Sequence, residues 1–246
     1  MTVSTINTNT VELRTPANAV VPATVTYSGV TATLTPSSPL SANTTYTARV
    51  IGGTTDPRVK DLAGNALATT YQWTFTTGAA APVITTIWSN AVVPATPSVS
   101  ETDALELGVK FRSDVAGYIR GIRFYKGANN TGTHTGSLWS SAGSRLATAT
   151  FGTETATGWQ QVLFTTPIQI AANTTYIASY YAPQGGFAVN LNYFTNGGAD
   201  SGVLHALSNT AAGGNGVFIY GGPNQFPVNT WSSSNYWVDV LFSTTP

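Results

Sequence analysis

Cysteine is absent from the 246 residues, which excludes disulfide staples, thiol nucleophiles and cysteine-ligated metal. Charge is scarce. Asp, Glu, Lys and Arg together make up 8% of the chain, against about 25% in an average globular protein. The charges also cancel, 10 basic against 10 acidic. A chain without clustered cations is a poor partner for nucleic acid or for an anionic membrane surface. No long apolar run provides a transmembrane span. Residues 1–20 lack a basic start followed by an apolar stretch, so no signal peptide is read there. Histidine is limited to His134 and His205. With two candidate bases and no Gly-x-Ser-x-Gly elbow, a nucleophilic triad has nothing to build on.

What is abundant is Thr, Ser, Asn and Gly on the polar side, and 11% aromatics on the apolar side. The apolar residues recur with a period of two, not 3.6. In the first third, Tyr46, Ala48 and Val50 alternate along one strand, and Tyr71, Trp73 and Phe75 share one face of another. Further on, Leu105, Leu107, Val109 and Phe111 alternate with Glu106 and Lys110. Turn residues punctuate these runs at short spacing. The expectation is an all-β chain of two β-sandwich domains: residues 1–78, a small-residue linker at 79–83 that restricts relative motion, and a jelly-roll sandwich over 84–246. The Gly/Asn/Ala-rich segment 194–216 reads as a long loop. Few charges, no cysteine and many Thr and Gly point to an extracellular β-protein.

The second domain turns around residues 124–140. Phe124-Tyr-Lys ends a strand, a loop of Gly, Asn and Thr carries His134, and Gly136-Ser-Leu-Trp139 resumes as a strand. Elsewhere one segment is nearly repeated: Ser41-Ala-Asn-Thr-Thr-Tyr46 and Ala171-Ala-Asn-Thr-Thr-Tyr176. Asn tolerates the left-handed conformation and Thr-Thr-Tyr favours a strand, so the repeat reads as a turn-into-strand device. A glycosylation acceptor is the other reading of the same residues.

Family resemblances attach to both domains. Pro36-Ser-Ser-Pro-Leu-Ser-Ala-Asn-Thr-Thr-Tyr-Thr47, Val59-Lys-Asp-Leu-Ala-Gly-Asn-Ala-Leu67 and Trp73-Thr-Phe-Thr-Thr77 resemble the bacterial Ig-like domains of the SbsA-like type. That family's pattern starts some strands earlier, so the resemblance implies a truncated domain with an open edge. Glu106-Leu-Gly-Val-Lys-Phe111, Ile122-Arg-Phe-Tyr-Lys-Gly127, Asn130-Thr-Gly-Thr-His-Thr-Gly-Ser-Leu-Trp139, Gly158-Trp-Gln-Gln-Val162, Thr175-Tyr-Ile-Ala-Ser-Tyr-Tyr-Ala-Pro183 and Asn235-Tyr-Trp-Val-Asp-Val-Leu-Phe242 resemble the bacterial domain of unknown function numbered 4082. The resemblance implies one part of a large secreted bacterial protein, extracellular or at the cell surface, beside Ig-like and carbohydrate-active modules. It carries no established activity.

Three constellations are candidates for chemistry. The acidic residues of the second domain fall at strand ends and in turns, where carboxylates are usually solvated or capping, so a glycosidase pair is not read and the chain is not taken as an enzyme. Calcium draws carboxylates from scattered loops. Glu101 and Asp103 precede the first clear strand of the second domain and Asp239 lies in its last strand. These three are the candidate ligands of a structural calcium, with an Asp–Arg or Asp–Lys pair as the other reading of Asp239; no other cofactor is indicated. Sugars stack their C–H faces on aromatic rings and bond their hydroxyls to polar side chains. Tyr125, Lys126, His134, Tyr181, Tyr220, Trp231 and Tyr236 are the candidate glycan contacts. The function expected is a non-catalytic accessory module that binds polysaccharide. The alternative is a structural or adhesive spacer contacting neighbouring protein domains.

Overall fold

A computed structural model describes all residues 1–246. The chain is almost entirely antiparallel β-structure and forms two compact units, Met1–Ala81 and Pro82–Pro246. In the first unit, β1 (Val11–Arg14), β4 (Thr45–Val50) and β5 (Tyr71–Thr76) make a three-stranded sheet, and β2 (Ala23–Ser28) and β3 (Thr31–Pro36) form a hairpin. Its core is small: Ile6, Leu13, Tyr46 and Val59 are the buried apolar side chains. The edge strand β5 is exposed along its whole length.

The second unit is a sandwich of two unequal sheets. The narrow sheet has the order β10 (Gly158–Ile170), β7 (Gly117–Lys126), β16 (Val238–Ser243). The wide sheet runs β12 (Ala199–Ser201), β13 (Leu204–Ala206), β6 (Leu105–Ser113), β11 (Tyr176–Ala182), β8 (Thr135–Ser140), β9 (Arg145–Thr150). A further pair, β14 (Val217–Tyr220) and β15 (Asn229–Thr230), joins the Leu105–Gly108 half of β6, on the edge whose other half takes β13. Alternation fills the interior: Leu105, Leu107, Val109 and Phe111 from β6 meet Ile122 and Phe124 from β7. Phe124 stacks on Tyr180 with ring centroids 4.0 Å apart. Ile119 and Ile122 are both buried although three residues apart. A bulge at Arg120, seen as a register shift against Leu241 and Phe242, restores the inward face.

The near-repeated segment is one device used twice. Asn43 and Asn173 both take left-handed φ, 49° and 53°. Each turn is closed by the tyrosine hydroxyl three residues on. Tyr46 accepts the amide of Ser41 at 3.0 Å and Tyr176 accepts that of Ala171 at 3.2 Å. The segment expected as a long loop is not one. Residues 199–206 form the β12–β13 hairpin around left-handed Gly202. His205 there bridges Asp200 at 2.6 Å and Asp114 at 2.8 Å. Three-residue strands are too short for their alternation to stand out from a Gly/Asn-rich background.

On the outer face of the wide sheet, Glu106 is fully buried beneath the loop that follows β14. Trp139 Nε1 donates to Ser179 Oγ at 2.7 Å, and Ser179 Oγ donates to Glu106 Oε1 at 2.6 Å. Phe226 packs over Trp139, ring centroids 5.7 Å apart. Glu106 Oε2 lacks a well-formed hydrogen bond. Burial pushes this carboxyl from 4.5 up to about 7, against weaker opposite pulls from Ser179, the Asn224 amide and Arg145. Across that interval the folded chain keeps a proton that the unfolded chain has released. The stabilisation from this group is therefore fully present at acidic pH and is lost as pH rises through about 7. The loss expected from this group is at most about 3 kcal/mol. A melting-temperature series between about pH 5 and 8 is expected to fall less steeply toward pH 8 for Glu106→Gln than for the native chain.

Candidate functional site

Within residues 124–140, Lys126 and His134 are drawn into one internal hydrogen-bond network. Lys126 Nζ donates to Glu154 Oε2 at 2.7 Å, and His134 Nδ1 faces the same carboxylate at 2.8 Å. His134 Nε2 sits 2.8 Å from Asn130 Oδ1, and Asn130 Nδ2 donates to the Tyr180 hydroxyl at 3.1 Å. His134, Asn130 and Tyr180 are fully buried. Burial lowers the His134 pKa, with Glu154 opposing. This network fastens the loop to the sandwich, and it removes Lys126 and His134 from the candidate ligand contacts. Tyr181 stands on the opposite face of β11 from Tyr180, half-buried, with Thr135 and Glu106 as its cross-strand neighbours. Tyr125 lies edge-on to Trp159, centroids 5.8 Å apart.

The three carboxylates assigned to calcium are not brought together, and no group of three His, Asp or Glu side chains is placed to hold a metal ion. Asp239 is spent elsewhere. It is fully buried and accepts the amides of Ile87 at 2.9 Å, Trp88 at 3.1 Å and Val240 at 2.7 Å. Arg123 lies across the strand pair, with Nε 3.2 Å from Asp239 Oδ2. The Arg123 guanidinium also donates to the Trp88 carbonyl and covers the Trp159 ring at 4.0 Å. Burial raises the Asp239 carboxyl to about 6 while Arg123 and the three amides pull it down. Asp239 therefore remains the anion of a buried pair at neutral pH. Glu101 Oε1 accepts the amides of Thr102 and Asp103, and its Oε2 accepts the Tyr220 hydroxyl at 3.0 Å.

The other three aromatic candidates do converge. Tyr220, Trp231 and Tyr236 line one cleft of about 620 Å³. Along β14, Phe218 pairs with Leu107 and Tyr220 with Leu105, so both rings continue the inner face of the wide sheet. Leu105 and Leu107 form the floor with Val99 and Val189. The opposite wall comes from irregular chain. Thr96 and Val189 form a bridge, Asn190 and Asn235 another, and Asn190 Oδ1 accepts both the Ala95 amide at 2.7 Å and Trp237 Nε1 at 3.0 Å. Tyr236 is held edge-on between Phe187, 5.6 Å away, and Phe218, 6.1 Å away. Burial raises its phenol to about 12. Ser232 and Ser233 both take left-handed φ, 49° and 46°, and the Trp231 carbonyl accepts the Ser234 amide and hydroxyl. This tight turn presents Trp231 outward, 64% exposed, with Tyr220 at 49% and Leu191 at 58% on the same rim. Phe187, Phe218 and Leu191 were not among the residues expected. The Phe-x-Tyr spacing of 218 and 220 was the available signal for one of them.

The chain is thus a tandem of all-β modules whose second sandwich carries an aromatic cleft. Residues 91–238 match the family described as domain of unknown function (DUF4082), and the chain belongs to that family. Residues 1–77 match the bacterial Ig-like domain family. No curated protein matches the chain. The two matches together mark it as an accessory module of a bacterial protein. No helix is long and apolar enough to cross a membrane.

Breaking a buried ion pair by removing one partner leaves the other charge uncompensated. Asp239→Ala is expected to destabilise the second unit by about 3–5 kcal/mol in urea unfolding. EDTA is expected to leave the melting temperature unchanged, since Asp239 is braced by Arg123; a fall on chelation would contradict that account.

Proposed function

We propose that the chain is a non-catalytic accessory module of a secreted bacterial protein, acting outside the cell by binding polysaccharide in the Tyr220–Trp231–Tyr236 cleft. The observation that carries this reading is the pairing of an apolar floor with exposed aromatic faces at the rim. Carbohydrate rings have C–H faces that stack on Trp and Tyr, and the cost of ordering such rigid side chains is small. The lining also supplies the polar atoms that fix orientation, the Tyr220 hydroxyl and Ser234, with Glu101 hydrogen-bonded behind Tyr220. No His, Lys or Arg lines the cleft, and the buried acids Glu106 and Asp239 are held in their own hydrogen-bond networks. Nothing in the cleft is arranged for proton transfer.

A second reading rests on the first unit. Tyr71, Trp73 and Phe75 on β5 are 63%, 46% and 39% exposed, and an aromatic strand edge of this kind fits adhesive contact with a neighbouring protein domain. Calorimetric titration against soluble xylan, laminarin, mannan and chitooligosaccharides separates the two. Trp231→Ala is expected to weaken glycan binding roughly 10- to 100-fold, as loss of a stacking anchor does, with little change in melting temperature. Trp73→Ala is expected to leave binding intact. Absence of binding to every glycan, or full binding by Trp231→Ala, would overturn the first reading.

A further inference from the structure

Beside the Tyr220 rim of the cleft, and outside its lining, lies a fixed negative charge. The amides of Thr102 and Asp103 hold the Glu101 carboxylate from one side at 2.8 and 3.0 Å, and the Tyr220 hydroxyl from the other at 3.0 Å. These donors keep its pKa below the usual carboxylate range, so the group is anionic at mildly acidic as well as neutral pH. Asp103 adds a second acidic side chain near Tyr220. Neither forms an ion pair within the chain. Three cations of the second unit are engaged elsewhere: Arg123 with Asp239, Lys126 with Glu154, Arg112 with Asp114. No Lys or Arg lines the cleft. An uncompensated carboxylate bonded to the hydroxyl of an exposed aromatic ring, beside an apolar cleft, is complementary to a cation that carries an apolar face.

We propose that the Glu101–Tyr220 end of the cleft is a subsite for an ammonium group, so that the module takes glycans bearing free amines, of the deacetylated glucosamine type, over N-acetylated or acidic ones. The proposal rests on the glycan reading above and adds the substrate class. A sugar ring stacked at the aromatic rim directs one substituent along the Tyr220 edge. A protonated amine there gains a charge-assisted hydrogen bond to Glu101 and the attraction of the Tyr220 ring. An acetamide has no charge for the carboxylate to engage, and a uronic acid places like charges together.

The test uses the full chain with two oligosaccharides of equal length, one fully deacetylated chitosan oligosaccharide and one N-acetylated, titrated at about pH 5.5, where Glu101 is ionised and the amine protonated. The native chain is expected to bind the deacetylated ligand about three- to tenfold more tightly, the size of a partly exposed charged hydrogen bond. The preference is expected to shrink in about 1 M salt, where the screening length falls to about 3 Å. Raising the pH past the amine's titration is expected to remove it. Glu101→Gln is expected to lose affinity for the amine until the two ligands bind alike. The salt and pH series on the native chain read the same charge without relying on a variant. Equal or tighter binding of the N-acetylated ligand, or a preference that survives in Glu101→Gln and in high salt, would overturn the proposal and leave the glycan reading standing. Failure of both oligosaccharides together with every neutral glycan would overturn the two readings at once.

Discussion

A three-stranded sheet laid against a much wider one leaves apolar surface that something else must cover, and the second unit is built around that inequality. The inner residues of β6 are apolar from Leu105 to Phe111. Over Leu105 and Leu107 the facing wall comes from irregular segments, not from the narrow sheet. Residues 94–99, 187–191 and 231–236 form that wall and bond to one another through Asn190 and Asn235. Irregular backbone needs partners for its polar groups, which is why asparagines sit at the junctions. The covering is incomplete at the rim, and the incompleteness is the cleft.

The opposite face of the narrow sheet is governed by a single carboxylate. Asp239 collects the amides at the start of residues 87–88, the guanidinium of Arg123 and its own strand neighbour's amide. Trp88, Trp237 and Trp159 then pack around the Arg123–Asp239 pair. An apolar replacement of the pair would cost nothing in solvation. What the charged pair adds is direction, because Asp239 fixes the amides of Ile87 and Trp88 against Arg123. The Lys126–Glu154–His134–Asn130–Tyr180 chain does the same for the loop after β7.

The strands, their inward faces and the all-β class were legible from period-two alternation, because each strand buries one face and the core enforces the register. The turn device was legible for a local reason: Asn at the left-handed position and Tyr three residues later act within six residues. The cleft was legible in part. Tyr220, Trp231 and Tyr236 were recognisable as aromatics in turn-rich chain, yet so were Tyr125 and Tyr181, and composition does not tell an exposed ring from a packed one. Lys126 and His134 were assigned to a binding site because a polar loop with a histidine looks accessible; Glu154, 20 residues past His134, is what buries them. Asp239 likewise reads as a ligand until Arg123 is seen across the strand pair. These errors share a cause. Polar satisfaction in this sandwich is long-range, while sequence pattern is short-range.

Tyr220 and Trp231 are the two ends of one connection, the loop and short strand that leave β14 and return at β15. One ring is fixed by a strand of the wide sheet and the other by a serine turn. The spacing between the two rims is therefore set by the β14–β15 register, in which Val217 faces Thr230 and Phe218 faces Asn229. Loops change length at small thermodynamic cost. Residues 221–228 are not free in this way, because Phe226 packs on Trp139 and the Asn224 amide faces Glu106; a change in their length would uncover that buried carboxyl while the β14–β15 ladder held the two rims in register.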